Sequence, residues 1–545
     1  MPRIVSRIDS SADVFATNRA ALQTQLAQLR ATEERTRARS AEAGPRFAKR
    51  GQRLPRERIE LLLDAGTPFL ELSTLAGWCQ DSDEKTGAAC TPETTVPGGG
   101  SIAGIGYVAG ARCMVLADDA GIDAGALQAG GLEKFRRAQE IALENKLPFV
   151  HLIESAGANL LKYRVEHFIA GGRLFYNLAR LSAVGLPVIG VVHGSSTAGG
   201  AYMTGLADIV IMVRGRAKAF LAGPPLLKAA TGEVATDEEL GGAEMHAGIS
   251  GTCEYLAEDD ADAVRLARAH LAQLRWREQN HVVPASEPPA YPADELLGIM
   301  PADLKKPVDM REVIARIVDA SEFLDFKADY GPATVCGHTA IGGMRVGILT
   351  NNGPIDPAGA NKATHFIQHC CGNGMALVYL QNTTGYIVGR APERDGMIKH
   401  GSKMIQAVSN ATVPQITVHC GASYGAGNYG MCGRSFGPRF VFSWPNARTA
   451  VMGAEQAATT MAIVAEEAAR RRGAEPPAAM LAGLKQKIVD TFERQTSAFY
   501  TSGLLLDDGV IDPRDTRAVL MFTLSICEEA ARRVVRPVQF GVARP

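Results

Sequence analysis

What this chain of 545 residues lacks excludes several classes of protein. Its 57 Lys and Arg are matched by 58 Asp and Glu, a net charge of −1. A general polyanion binder needs a basic surplus, so neither nucleic acid nor a membrane surface is an expected partner. No stretch approaches about 18 uninterrupted apolar residues, the length a membrane span needs. Runs such as Leu186–Val192 are strand-length and broken by glycine. Residues Met1–Ala16 have no apolar signal core and carry an acid at Asp9, so a cytoplasmic location is expected. The ten cysteines include no C-x-x-C pair, although Cys370 and Cys371 are adjacent. Reduced thiols are expected, with neither a disulfide framework nor a metal site.

The standard chemical signatures are missing as well. Gly104-Ile-Gly106 lacks the third glycine of a dinucleotide fingerprint, and no phosphate-binding G-x-x-x-x-G-K-[ST] occurs. There is no H-E-x-x-H, and no paired metal carboxylates stand out. The histidines His151, His193, His365, His369 and His419 lie in or beside apolar segments and read as structural.

Glycine is in excess: 57 residues, about one in ten, against a usual share of about 7%. Following it exposes an internal repeat. Gly185–Tyr202 aligns with Thr412–Tyr429 at a constant offset, so Pro187 meets Pro414, Gly194 meets Gly421 and Tyr202 meets Tyr429. Upstream, Leu147–Ala158 resembles Met375–Tyr386, and Arg112–Ala117 echoes Arg345–Thr350. Matched segments in one order predict two copies of one α/β unit rather than a short-period solenoid. Each copy cycles through a β-branched strand, a glycine turn and a helix start, the pattern of parallel sheets with helical cover. A Pro-rich break from about Gln279 to Pro307 falls between the copies, and residues 17–48 read as a long polar helix for packing or assembly. The domains expected are therefore an N-terminal helical segment over 1–48, a first α/β domain over 49–300 and a second over 306–545.

A strand, a glycine-rich turn and a helix start can aim free backbone N–H groups at a negative centre. Gly199-Gly200 and Ala426-Gly427 occupy matching positions, and Glu154–Ala158 supplies another small-residue turn. Close helix–strand packing alone would also place glycines there. With no side-chain nucleophile in view, stabilisation of an enolate or thioester oxyanion by backbone donors is the chemistry that remains.

The whole chain from about Arg50 resembles the carboxyltransferase (β) subunits of biotin-dependent acyl-CoA carboxylases. The resemblance is carried by Gly51–Ile59 with Pro68–Ser73, by Gly194–Tyr202, by Gly421–Met431 and by Asp507–Arg517. It implies two tandem crotonase-like domains arising from duplication, a ligase reaction and an oligomer, a β hexamer within an α6β6 complex. Thr197–Tyr202, Lys362–Phe366 and Gly425–Met431 are similar to the branch acting on β-methyl, α,β-unsaturated acyl-CoAs, whose common members are the 3-methylcrotonyl-CoA enzymes of leucine catabolism and the geranyl-CoA enzymes of acyclic terpene catabolism. In methylcrotonyl members a Phe precedes the Gly-Arg pair that reads Gly172-Arg173 here; this chain has Gly171 in its place. Losing that ring would open room for a longer isoprenoid tail, unless Gly171 is only a helix-start glycine remote from the substrate.

The resemblance further implies carboxyl transfer from carboxybiotin to the γ-carbon of the enoyl-CoA. Backbone N–H groups of Ala156 and Gly157 would hold the thioester oxyanion and those of Ala426 and Gly427 the biotin oxyanion. Gly171, Gly172, Gly199, Gly200 and Tyr202 would line the acyl-CoA site, and Gly425, Asn428 and Tyr429 the biotin site. The chain has no Met-Lys-Met biotinylation motif and no ATP-grasp region, so a separate biotin carboxylase and biotin-carrier α subunit is the expected partner. Where the family often has Asp-Ser-Gly-Gly-Ala, this chain has Ala156 within Glu154–Ala158. Lys134, Arg136 and Arg137 read first as a solvated helix face and second as a contact for CoA phosphates. A biotin-independent hydratase or isomerase of crotonase type is the alternative from another class.

Overall fold

In the computed structural model, which describes residues 1–80, 89–157, 164–274, 276, 285–473 and 476–542, the chain divides into two units. The first comprises Arg30–His281 with Gly503–Leu505 and Ile526–Pro545; the second comprises Met1–Leu29, Val282–Ser502 and Leu506–Ser525. The division at His281/Val282 falls inside the proline-rich break, of which residues 277–284 lie outside the described residues.

The first unit is built on a sheet ordered β1-β2-β3-β4-β5-β6-β8, with β7 paired to β5. Its strands are β1 (Leu70–Leu72), β2 (Ser101–Val108), β3 (Ala111–Asp118), β4 (Phe149–Ser155), β5 (Val188–Thr197), β6 (Ile209–Val213), β7 (Lys218–Phe220) and β8 (Tyr255–Ala257). The hairpin β2–β3 is antiparallel, and from β3 onward every pairing is parallel. Parallel strands need helical crossovers on their faces, and burial on both sides explains why β3 and most of β5 are buried rather than alternating.

The second unit repeats this plan. Its strands are β9 (Leu324–Asp325), β10 (Thr334–Ile341), β11 (Met344–Asn351), β12 (Ala376–Thr383), β13 (Gln415–Tyr424), β14 (Phe440–Ser443) and β15 (Arg448–Ala450). They run in the order β14-β13-β12-β11-β10-β9 with β15 on β13. The hairpin β10–β11 is antiparallel and the later pairings are parallel. Strands β2–β7 thus have counterparts in β10–β15 with the same neighbours and senses, and the repeat read from the sequence is a repeat of the fold.

The N-terminal polar helix runs Asp13–Ala41, followed by a short helix Gly44–Lys49. In the second unit its buried Leu22 and Leu26 pack with Leu297, and Asn18 Nδ2 donates to the Gly298 carbonyl at 3.1 Å. The ten cysteines are thiols, most of them buried. No described helix is long and apolar enough to cross a membrane. Among the described residues no group of His, Cys, Asp and Glu is placed to hold a metal ion.

Candidate active site

Each unit ends its longest parallel strand in one unusual residue and then starts a short helix. After β5, Ala198 has φ 52° and ψ −117°, and the helix Gly199–Gly205 follows. After β13, Gly425 has φ 56° and ψ −150°, and the helix Ala426–Gly430 follows. A β-carbon in this region of backbone space costs on the order of 1–3 kcal/mol, strain that tends to collect at functional sites. Glycine avoids it at 425, whereas the first unit tolerates it at Ala198. The bonding is the same in both units. The Ala198 N–H donates to Phe220 O on β7 (3.1 Å), and the Ala201 N–H returns to Ala198 O (3.1 Å). The Gly425 N–H donates to Ala450 O on β15 (2.9 Å), and the Asn428 N–H returns to Gly425 O (3.1 Å). Between these bonds, the N–H groups of Gly199 and Gly200, and of Ala426 and Gly427, have no acceptor among the described residues. Two adjacent free donors, aimed by a fixed turn, are the elements of an oxyanion site.

The structure corrects the assignment of the first donor pair. The Ala156 N–H is bonded to Ala124 O (3.0 Å) and the Gly157 N–H to Ser155 Oγ (3.1 Å), so neither is free to meet an oxyanion. The turn after β4 closes on itself, as does its counterpart after β12, where the Gly385 N–H donates to Thr383 Oγ1 (3.2 Å). These turns support the donors instead. A Cβ on Gly427 would lie 2.8 Å from Gly385 Cα and 2.9 Å from Thr383 Cγ2, while one on Gly157 would meet Thr197 Oγ1 at 3.4 Å. Ala158 lies outside the described residues.

On the acyl side, Gly171 and Gly172 lie inside the helix Val165–Ala183, not at its start. Among the described residues, a Cβ on Gly171 would approach only Leu132 Cδ1 (3.9 Å), and one on Gly172 would meet nothing within 4 Å. Phe175, one turn further on, sits 3.4 Å from the Cβ position of Gly199 and packs edge-on to Tyr202 at 6.1 Å between ring centroids. Of the expected acyl residues, Gly199 and Tyr202 are thereby joined through Phe175, which the sequence reading missed, while Gly171 lies one turn before Phe175 on the same helix. In the second unit Tyr429 is about half exposed and packs on Phe436, whereas Asn428 is committed internally: its Nδ2 donates to Ser423 Oγ (2.8 Å), which donates to Gln381 Oε1 (2.5 Å). Asn428 therefore anchors the helix start rather than presenting its side chain.

The basic helix face also reads differently in three dimensions. Lys134 is buried and caps the carbonyls of Gly98 (3.2 Å) and Ser101 (2.7 Å), burial pushing its ammonium down to about 8. Arg137 is buried too, and Arg136 pairs with Glu140. Neither a solvated face nor a phosphate cluster results. Lys362 occupies the matching place in the second unit, fully buried, and its Nζ finds no hydrogen-bond partner among the described residues.

The motif Gly51–Ile59 forms a buried charge network in the first unit. Arg58 meets Glu154 (2.6 Å) and Asp260 (3.2 Å), Gln52 Nε2 donates to Glu154 Oε1 (3.0 Å), and the Arg53 N–H donates to Asp260 Oδ2 (2.7 Å). Asp260 also faces His193 Nδ1 (3.0 Å) and Arg216 (3.1 Å). Burial alone would raise the Asp260 carboxyl, but His193 and Arg58 hold it well below the ordinary carboxylate range. Burial, reinforced by Arg58, lowers His193.

A profile for the carboxyl transferase domain matches residues 46–539. The chain is 48% identical over 490 residues to a probable biotin-dependent acyl-coenzyme A carboxylase beta2 subunit of Mycobacterium tuberculosis, covering 89% of this chain and 90% of that one. It is 44% identical over 527 residues to the mitochondrial methylcrotonoyl-CoA carboxylase beta chain of Dictyostelium discoideum, covering 95% and 87%. Among solved structures, the beta subunit of P. aeruginosa geranyl-CoA carboxylase is 52% identical with a TM-score of 0.91, over 99% of this chain and 100% of that one.

Proposed function

The chain belongs to the carboxyl transferase family, and on that premise we propose that it is the β subunit of a carboxylase that places a carboxyl group on the γ-carbon of geranyl-CoA. The observation that carries this reading is the pair of matched backbone donor sites, one in each unit; Gly171, with open space beside it among the described residues, leaves room that a side chain would take. The N–H groups of Gly199 and Gly200 donate to the thioester oxygen as it gains negative charge on loss of the γ-proton. Losing one such donor costs about 2.7–4 kcal/mol of barrier. Biotin, borne on a separate α subunit, supplies the carboxyl group and, once freed of it, the base. The free N–H groups of Ala426 and Gly427 fit its ureido oxygen, with Tyr429 exposed beside them and Asn428 locking the turn. The β chains assemble as a hexamer within an α6β6 complex that works in acyclic terpene breakdown.

The second reading is 3-methylcrotonyl-CoA carboxylation, which the 44% identity to a methylcrotonoyl-CoA carboxylase beta chain supports. The test reconstitutes the chain with its biotin-carrying subunit and compares ATP- and bicarbonate-dependent carboxylation of geranyl-CoA, 3-methylcrotonyl-CoA and propionyl-CoA. Geranyl-CoA should have the highest kcat/KM. Turnover of the five-carbon substrate at an equal or greater kcat/KM sinks the geranyl assignment. Light scattering of the complex checks the hexamer.

A further inference from the structure

Strands β5 and β13 share an irregularity that the donor sites do not explain by themselves. Ile153 pairs with Val192 and Ser155 with Ser196, so one residue of β4, Glu154, lies opposite three of β5, residues 193–195. In the second unit Gln381 pairs with His419 and Thr383 with Ser423, so Asn382 lies opposite residues 420–422. Extra residues of this kind bend a strand and re-aim the residues beyond the bend.

In both units one polar side chain fills the space so made. A Cβ on Gly194 would lie 2.5 Å from Glu154 Oε1, and one on Gly421 would lie 2.4 Å from Asn382 Oδ1. In both units an amide also caps a carbonyl turned out of the ladder: Gln52 Nε2 on His193 O at 3.5 Å, and Asn446 Nδ2 on Cys420 O at 3.0 Å. Glu154 is fixed from three sides, by Gln52, by Arg58 and through its own N–H donating to Asp118 Oδ2 (3.1 Å). Asn382 accepts from the Ala422 N–H at 3.4 Å. The free donors begin at Gly199 and Ala426, in each case the same distance along the chain beyond Gly194 and Gly421.

We propose that Glu154 and Asn382 are positioning residues, each wedged into the irregular stretch of the strand beside it and thereby setting the aim of the donor pair downstream. The reacting groups never touch them. The arrangement accounts for Gln52 and Arg58, the motif residues to which the reaction itself gives no task. The first unit uses an ion-paired carboxylate and the second a neutral amide for the same job.

The inference rests on the two donor pairs being the anion sites, and the experiment separates the two claims. In the reconstituted complex, Glu154→Ala should lower kcat for the enoyl-CoA by about 30-fold or more, with KM within about threefold, because misplacement of about 1 Å costs about 10²-fold. Glu154→Gln, which still fills the space, should recover most of that loss. Glu154→Asp keeps the charge on Arg58 while withdrawing the carboxylate by one methylene, and it should show the same direction if the alanine variant does not assemble. Release of CO2 from carboxybiotin without acyl-CoA should be unchanged in the Glu154 variants and reduced in Asn382→Ala. The proposal is overturned if Glu154→Ala and Glu154→Asp keep wild-type kcat, if both half-reactions fall together, or if the loss follows Tm and is not rescued by Gln. A wild-type complex with neither half-reaction fails the anion-site reading instead.

Discussion

Replacing Gly171 by phenylalanine tests how this chain sets the length of its substrate. The position is inside the helix Val165–Ala183, and among the described residues the only atom near a new Cβ is Leu132 Cδ1 at 3.9 Å. Gly171→Phe therefore meets no steric barrier at Cβ. It also removes a glycine from a helix interior, a change that stabilises the helix by a few tenths of a kcal/mol. Thermal unfolding should show no loss. The new ring would sit between Phe168, one turn before, and Phe175, one turn after, closing the gap the two glycines leave. Geranyl-CoA carries five more carbons than the methylcrotonyl substrate. At about 0.8 kcal/mol per buried carbon the most that exclusion can cost is about 4 kcal/mol, or about 10³-fold. In the single chain Gly172 is exposed and Phe168 is 68% exposed, so a tail lying along this helix would be covered by the chain on one side only. Half the maximum, about 2 kcal/mol, is the better expectation, a loss of about 30-fold in kcat/KM for geranyl-CoA. The shorter substrate should change by less than about threefold, because it never fills the gap. Competition assays with both substrates on the assembled complex measure the ratio directly. An unchanged ratio in a folded complex, or an equal loss for both substrates, refutes the reasoning.

Other sites give equally definite expectations. Gly427→Ala should cut kcat by about 10²-fold through displacement of the second donor pair against Gly385 and Thr383, whereas Gly372→Ala, with open space around it, should leave kcat unchanged. His419 is buried against Ser443, and burial lowers its imidazole to about 4. Because the folded chain binds that proton less readily than the unfolded chain, the stability is complete above about pH 6.5 and is lost as pH falls toward 4. The loss is about 3 kcal/mol in urea titrations and should be absent in His419→Gln. Lys134→Met should destabilise the first unit by about 1–3 kcal/mol by orphaning the Gly98 and Ser101 carbonyls. Lys362→Met should be neutral or stabilising, since the buried ammonium it removes has no hydrogen-bond partner among the described residues. Calorimetry distinguishes the two, and an equal cost at both sites contradicts the contrast.

The duplication was legible because it left the same small residues at the same spacing. Pro187 and Pro414, Gly194 and Gly421, and Tyr202 and Tyr429 align by eye. The places where β5 and β13 end were legible for the same reason, since turns of that shape admit few side chains. The choice of donors was not. Glu154–Ala158 and Gly199-Gly200 are both small-residue turns after a strand, and sequence does not reveal that Ser155 Oγ and Ala124 O have already taken the N–H groups of the first. Arg58 lies in the Gly51–Ile59 motif, which the sequence marks as a resemblance without showing what its charge meets. Its partners Glu154 and Asp260 lie about 100 and 200 positions away in the chain, and only pairing in the fold makes it a buried hub. Lys134 misled in the opposite sense: it shares a helix face with Ala138, Ile141 and Ala142, all buried, yet its charge made it read as solvated.

By itself, then, the sequence determined the plan: two copies of one α/β unit and a strand–turn–helix in each with too little side chain to fill it. Periodicity and glycine placement are local properties, and they survive in one dimension. Tertiary structure decided which backbone groups remained free, because a hydrogen bond is satisfied or left open by partners from distant segments. It also decided that Gly171 faces Leu132 from inside a helix, and that an ion-paired carboxylate in one unit lies against the strand glycine where an amide lies in the other.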